Sequence, residues 1–228
     1  MRTGKGRLFF EGQVGHLVCT SVLLAGVYAA GRLGWYDDGF FLGLSTAAWV
    51  WITVAEAVAH QVYVWLCWRA ELHLGLLTRA FGRSAFGIYA AGFTILILTR
   101  PVLVIAVAAS NQNTIPMDPT PASLLAAVLA VPSVYLFYSV GRYFGFKRAF
   151  GFDHFDESYR SAPLVRDGIF RFTPNAMYVA GFLLVWIPGV ALRSRAALVV
   201  ALFSHLYIWV HYFFTEKPDM NRIYRGGG

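Results

Sequence analysis

The stretch AALVVALFSHLYIWVHYFFTEKPDMNRIYR, Ala196–Arg225, decides the fold. From Ala196 to Phe214 it reads as a membrane helix, because a hydrocarbon core ~30 Å thick is crossed by roughly 20 apolar residues in helix. Glu216, Lys217, Pro218 and Asp219 then arrive together, and the helix is expected to stop there. The tail beyond carries Arg222, Tyr224 and Arg225. It is either a plain stop signal or a polar site held at the membrane surface.

Working outward, the whole chain shares this character. It is 57% hydrophobic and 14% charged, against about 25% charged residues in an ordinary soluble domain. Such a chain cannot cover a globule with water-compatible side chains, so an integral membrane protein is expected. Six spans fit the length rule: Val14–Ala30, Phe40–Trp68, Ala85–Ser110, Pro121–Phe144, Ala176–Leu192 and Ala196–Phe214. The first is read as a retained anchor and not a cleaved leader, since Glu11 and Gln13 separate the N-terminal charges from the apolar run. Only Arg193–Arg195 joins the last two, which predicts an antiparallel helical hairpin. Pro101 follows Arg100 inside the third span, so a kink is expected and Arg100 needs a partner or a wet pocket. The fold class is all-α: a polytopic helical bundle forming one domain over residues 1–228, with N-terminal helices in 1–139 and a core in 140–228.

The net charge of +7 is distributed between the apolar runs, where Lys and Arg set topology; no nucleic-acid partner is expected. Arg2, Lys5 and Arg7 precede the first span, and Arg69, Arg79 and Arg83 follow the second. Arg142, Lys147, Arg148, Arg160, Arg166 and Arg171 lead into or occupy the fourth connection, and Lys217, Arg222 and Arg225 lie in the tail. Six crossings place these on one side, N-in and C-in, with Arg193 and Arg195 as the exception. The longest polar connection, Gly145–Thr173, and the tail therefore face the cytoplasm together.

Several polar residues invite chemistry. Asp153, His154, Asp156 and Glu157 lack a paired histidine at ligand spacing, so no metal is expected and a solvated or cofactor-covering loop is favoured. Cys19 and Cys67 fall in apolar segments and read as packing residues. His60 lies one turn after Glu56 on the same helix face, which makes the pair a functional candidate or a buried structural bond in equal measure. His205 and His211 read as interfacial or packing residues.

Three stretches, VGRYFGFK (Val140–Lys147), GIFRFTPNAMYVAG (Gly168–Gly181) and EKPDMNRIYR (Glu216–Arg225), together resemble the membrane phospholipid and isoprenylcysteine methyltransferases. The likeness is nearest the phosphatidylethanolamine N-methyltransferase branch and runs from Val140 onward. It implies a small helical membrane fold, S-adenosylmethionine as cofactor and a membrane-soluble methyl acceptor. Gly141 and Gly145 fall on glycines near the cofactor, Arg171 on a basic lead-in residue, and Asn175, Met177 and Tyr178 on an Asn-Pro-Met-Tyr element. Glu216 falls on the first of two glutamates; Pro218, Ile223, Tyr224 and Arg225 also match. Ala176 replaces a proline, Pro174 stands where many members carry arginine, and Lys217 replaces the second glutamate.

The resemblance implies that Glu216 serves the donor's ammonium or ribose. Asn175, Tyr178 or Arg171 would donate to its carboxylate, and Gly141 and Gly145 would allow close backbone approach. Glu216 and Asp219 are the candidates for taking a proton from an amine acceptor. Phosphatidylethanolamine or a partly methylated derivative is the expected acceptor. The alternatives are a thiol, a prenylcysteine carboxylate, a non-catalytic membrane scaffold, and a sterol-type reductase using NADPH.

Overall fold

Helices dominate the computed structural model, which describes residues 2–36 and 39–225. The side chains of Arg2, Thr3, Arg160, Ser161 and Arg225 lie outside the described residues, and with them the expected match at Arg225. Among the described residues, five helical stretches are long and apolar enough to cross a membrane: Gly4–Arg32, Thr46–Leu74, Leu76–Ser110, Pro119–Phe144 and Arg195–Tyr224. The protein is accordingly an all-α, multi-pass membrane bundle.

In chain order the helices are α1 (Arg2–Phe9), α2 (Gln13–Arg32), α3 (Thr46–Leu74), α4 (Leu76–Phe81), α5 (Ala85–Ser110) and α6 (Pro119–Ser139). Short helices α7 (Phe146–Ala149), α8 (Ala176–Val179) and α9 (Ile187–Ala191) lead to α10 (Arg195–His211) and α11 (Lys217–Arg225). The core is made where α3, α5 and α10 meet. Val50, Val54 and Ala57 of α3, Val104, Val107 and Ala108 of α5, and Ala197, Val200 and Ala201 of α10 are all buried there. Small side chains let these backbones approach closely, which matters because lipid supplies no hydrophobic drive between helices.

Three expectations are corrected. First, the second span does not begin as helix at Phe40. Phe40–Phe41 and Leu44–Ser45 pair as a minute antiparallel hairpin. Leu42 and Gly43 both take positive φ, 48° and 80°, the conformation that a two-residue hairpin with right-handed twist requires. Ser45 then caps α3 by accepting from the Ala48 amide at 3.2 Å.

Second, the fifth span is not one helix. It consists of α8, a 3₁₀ segment at Gly181–Trp186, and α9. The steeper 3₁₀ rise lets this short run extend ~27 Å, close to the bilayer core thickness. Its ends lie at opposite ends of the bundle: Tyr178 meets Glu216, whereas the Leu192 carbonyl accepts from the Asn113 amide at 2.9 Å. The sixth crossing is thus short and overwound, and α9 and α10 form the expected hairpin.

Third, the last helix does not stop at the Glu-Lys-Pro-Asp run. A π-helical turn at Tyr212–Glu216 passes the chain from α10 into α11, which continues to Arg225. Pro218 lacks an amide hydrogen, and the widened turn immediately before it moves the ladder into a new register.

The exceptional arginines also find an explanation. Arg193 donates to the Met117 carbonyl at 3.0 Å and to Asn113, and Arg195 donates to the Thr114 carbonyl at 3.3 Å. Both tie the α9–α10 hairpin to the Asn111–Thr120 connection instead of acting as free topological charges.

Candidate functional site at the α10–α11 turn

The π turn presents Glu216 sideways from the last helix. One of its oxygens, Oε2, accepts a short hydrogen bond from the Tyr178 hydroxyl. Oε1 accepts from no described residue. Around the pair stand Trp209 and Tyr212, whose rings lie 5.6 Å and 5.4 Å from that of Tyr178. π turns insert one extra residue per turn and recur at functional sites, because the bulge turns side chains out of the regular ladder.

Glu216 and Tyr178 line a cavity of about 380 Å³ between α3, α5, α6, the α8–α9 segment and α10. Its wall is apolar over most of its extent, with Phe93, Ile97, Pro101, Leu136, Phe150 and Phe182 among the lining residues. The polar groups that reach it are few, among them His60, Gln61, Thr94, Arg100, Tyr178, His211 and Glu216. An apolar cleft with a few convergent polar groups is the usual form of a small-molecule site.

Arg100 has both a partner and a pocket, as its position required. Its Nε donates to Glu56 Oε2 at 3.2 Å, and Nη2 lies 3.0 Å from His60 Nδ1. The Glu56–His60 pair foreseen on one face of α3 is therefore a triad closed by α5. His211 is buried, lines the cavity and has no partner on either ring nitrogen. It packs as expected, its ring centroid 6.0 Å from that of His16 and 5.9 Å from that of Trp68, and it reaches the cavity wall besides. His205 packs as well, with Nδ1 accepting from Trp186 Nε1 at 3.0 Å.

Beneath the turn lies a second polar centre that sequence reasoning missed. Arg69, read as a topological charge in a connection, is fully buried. Its Nε donates to Asp219 Oδ2 at 3.1 Å. The other guanidinium nitrogens donate to the carbonyls of Leu8, Phe9, Glu11, Phe214 and Thr215. Asp219 is also fully buried and lies near His73 and His154, 3.8 Å and 3.9 Å away. The structure thus places Asp219 in a lock that ties α1, α3 and α11 together, not on the cavity wall. Arg69 sits directly after Trp68 at the end of an unbroken apolar run, and that adjacency was the available signal.

The Gly145–Thr173 connection folds over the same end. Asp153 accepts from the Tyr224 hydroxyl at 2.8 Å, and Arg148 donates to Tyr224 at 3.0 Å. Burial by itself would raise the Asp153 carboxyl, but the neighbouring His154, Tyr224 and Arg148 outweigh it and hold the group below its ordinary value. His154 stacks on Trp68 with ring centroids 4.1 Å apart, and Asp156 accepts from the Ser158 amide at 2.9 Å. These acidic residues latch and cap the covering loop.

The other expected site residues are placed as follows. Gly141 lies in a second π turn, Val140–Phe144, and Gly145 ends it at φ 86°. Both are exposed, and the cavity is reached by their neighbours Val140 and Phe146. Asn175 is half-buried; its carbonyl accepts from the amides of Tyr178 and Val179 at 3.0 Å each, starting the turn that aims Tyr178. Met177 lines the cavity. Arg171 is exposed and lies over the Phe172 ring. Lys217 is exposed, with its ammonium 5.5 Å from the Phe213 ring centroid, and forms no ion pair with Glu216.

Residues 122–226 match the family model described as phospholipid methyltransferase. Among curated proteins, the chain is similar to the phosphatidylethanolamine N-methyltransferase of Clavispora lusitaniae, 31% identical over 72 residues. The corresponding enzymes of Scheffersomyces stipitis and Debaryomyces hansenii are each 28% identical, over 72 and 76 residues. These alignments take in 32–33% of this chain and 8–9% of each relative. The chain thus spans under a tenth of the length of the curated relatives it matches. No solved structure matches.

Proposed function

We propose that this protein is an S-adenosylmethionine-dependent methyltransferase that N-methylates phosphatidylethanolamine or a partly methylated derivative inside the bilayer. The observation that carries the reading is Glu216. It is a carboxylate turned into an apolar cavity, with one oxygen bonded to Tyr178 and the other open. The family match over residues 122–226 supports the reaction class.

The residues fit the cofactor. The open Glu216 oxygen suits an ammonium or a ribose hydroxyl, and the rings of Tyr178, Trp209 and Tyr212 offer faces to an adenine or a sulfonium. Bound S-adenosylmethionine would supply an electrophilic methyl group. The protein's share is positioning and exclusion of water, which supply most of the rate of an in-line displacement. Glu216 and Tyr178 fix the donor side, and Asn175 sets the turn that carries Tyr178. An attacking amine must shed its proton, and His211, unpartnered on both ring nitrogens, is an uncommitted acceptor on the same cavity wall as Glu216. Asp219, engaged by Arg69, serves by holding α11. Residues 140–228 then form the donor-binding core, and residues 1–139 supply the wall that receives the lipid.

The site belongs on the cytoplasmic side. α1, α4, the Gly145–Thr173 connection and α11 share one end of the bundle and carry most of its basic residues, as positive-inside topology requires. Lys217, which stands in place of the second glutamate, lies over Phe213 and forms no ion pair with Glu216, so it does not neutralise that carboxylate.

The test supplies purified protein with methyl-labelled S-adenosylmethionine and a panel of phosphatidylethanolamine, thiols and prenylcysteines. Label is expected in the organic phase with phosphatidylethanolamine. Transfer to a thiol or prenylcysteine instead would replace the acceptor, and transfer to none would overturn the reading.

A further inference from the structure

The inner pole of the cavity is not explained by methyl transfer at Glu216. His60 is 2% exposed, lines the cavity, and leaves Nε2 without a partner. Its other nitrogen, Nδ1, lies 3.0 Å from Arg100 Nη2. A guanidinium only donates, so Nδ1 accepts, the ring is neutral, and its single hydrogen sits on Nε2. A buried N–H on a residue of an apolar cavity wall costs on the order of 1–3 kcal/mol if nothing accepts from it. Gln61, next in the chain, brings a second polar group to the same wall.

The charges at this pole cancel. Arg100 is paired with Glu56 at 3.2 Å, leaving no net positive charge for a phosphate, and an unpaired anion there would carry a heavy desolvation penalty. The donor therefore fits a neutral acceptor oxygen carried on an otherwise apolar body. Depth points the same way. Arg69 of α3 bonds the carbonyls of Phe214 and Thr215 beside Glu216, and His60 lies ~13 Å further along the helix at 1.5 Å per residue. An oxygen held there sits well away from a headgroup nitrogen at Glu216.

We propose that His60 Nε2 is an interior recognition donor for an ester carbonyl of the glycerophospholipid acceptor, with Arg100 and Glu56 fixing the imidazole tautomer. This rests on the phospholipid reading above and adds to it a residue outside the segment matching the methyltransferase family, residues 122–226.

The test compares diester phosphatidylethanolamine with its dialkyl-ether analogue of equal chain length, which keeps amine and phosphate and removes only the carbonyls. Lipid retention by the purified protein in native mass spectrometry and initial methylation rate are both read. The wild type is expected to favour the diester by about 3- to 10-fold, the worth of one neutral hydrogen bond. His60→Phe should bring the ratio to about 1, whereas His60→Gln, whose amide can accept from Arg100 and donate to the lipid, should restore most of it. Equal retention of both lipids by the wild type overturns the proposal even if both are methylated, as does a preference that survives in His60→Phe. Retention with the ester preference but no methylation would leave the binding site standing and remove the methyltransferase reading. If His60→Phe does not fold, the wild-type ratio and His60→Gln decide.

Discussion

Tyr178 and Glu216 are 38 residues apart in sequence and share one hydrogen bond inside the bundle. A lone carboxylate in a membrane protein is expensive and persists where its lone pairs are used. The tyrosine uses one oxygen and leaves the other without a partner among the described residues. Tyr178→Phe should weaken S-adenosylmethionine binding by about 10-fold or more, the worth of a hydrogen bond to a charged group, and isothermal titration would read it. Asp219 makes the opposite case, since both it and Arg69 are fully buried and committed. Arg69→Met should destabilise the protein by about 3–5 kcal/mol by leaving a buried charge alone. Adding Asp219→Asn should recover part of that loss, which thermal unfolding in detergent would show. Both residues were visible in the sequence. Their separate fates were not, because which carboxylate meets an arginine 150 residues away depends on how α3 packs against α11.

At the scale of elements, the two π turns and the folded connection shape the site. Val140–Phe144 and Tyr212–Glu216 end α6 and α10, and the Asp153–Tyr224–Arg148 contacts draw the connection over α11. Asp153 is held below its ordinary value of 3.8. The stabilisation it provides is therefore complete above that value and is lost as pH falls through the lower folded value. Limited proteolysis should find the connection protected at neutral pH and cut progressively faster at pH below about 4; Tyr224→Phe should be cut faster at neutral pH as well. Apolar run lengths gave the boundaries of α5 to the residue, because Ala85–Ser110 is apolar but for Arg100 and a few hydroxyls and is flanked by Arg83-Ser84 and Asn111-Gln112. The same rule missed the broken α8–α9 segment and the hairpin before α3. Hydropathy registers burial in lipid but carries no information on whether the backbone winds as α, 3₁₀ or π.

On the scale of the whole molecule, polar and apolar features separate by depth. The end carrying α1, α4, the covering connection and α11 gathers most of the basic side chains, the Arg69–Asp219 lock and the Glu216 carboxylate. The interior holds the apolar cavity, with the neutral Glu56–His60–Arg100 triad at its inner pole. A water-soluble donor and a lipid acceptor would approach such a cavity from different directions, one from the polar end and one between the helices. The sequence showed the polar end through its charge distribution and through Glu216. The inner pole was half legible, since Glu56 and His60 share a helix face, but their union with Arg100 required α3 and α5 to be packed. The most direct measurement of the central claim is equilibrium binding of S-adenosylmethionine to the purified protein and to Glu216→Ala, with NADPH as the comparison ligand. The account predicts saturable binding of S-adenosylmethionine in the micromolar to millimolar range typical of enzyme substrates, its loss in a still-folded Glu216→Ala, and no binding of NADPH. Absence of binding in the wild type, or unchanged affinity in Glu216→Ala, would contradict it.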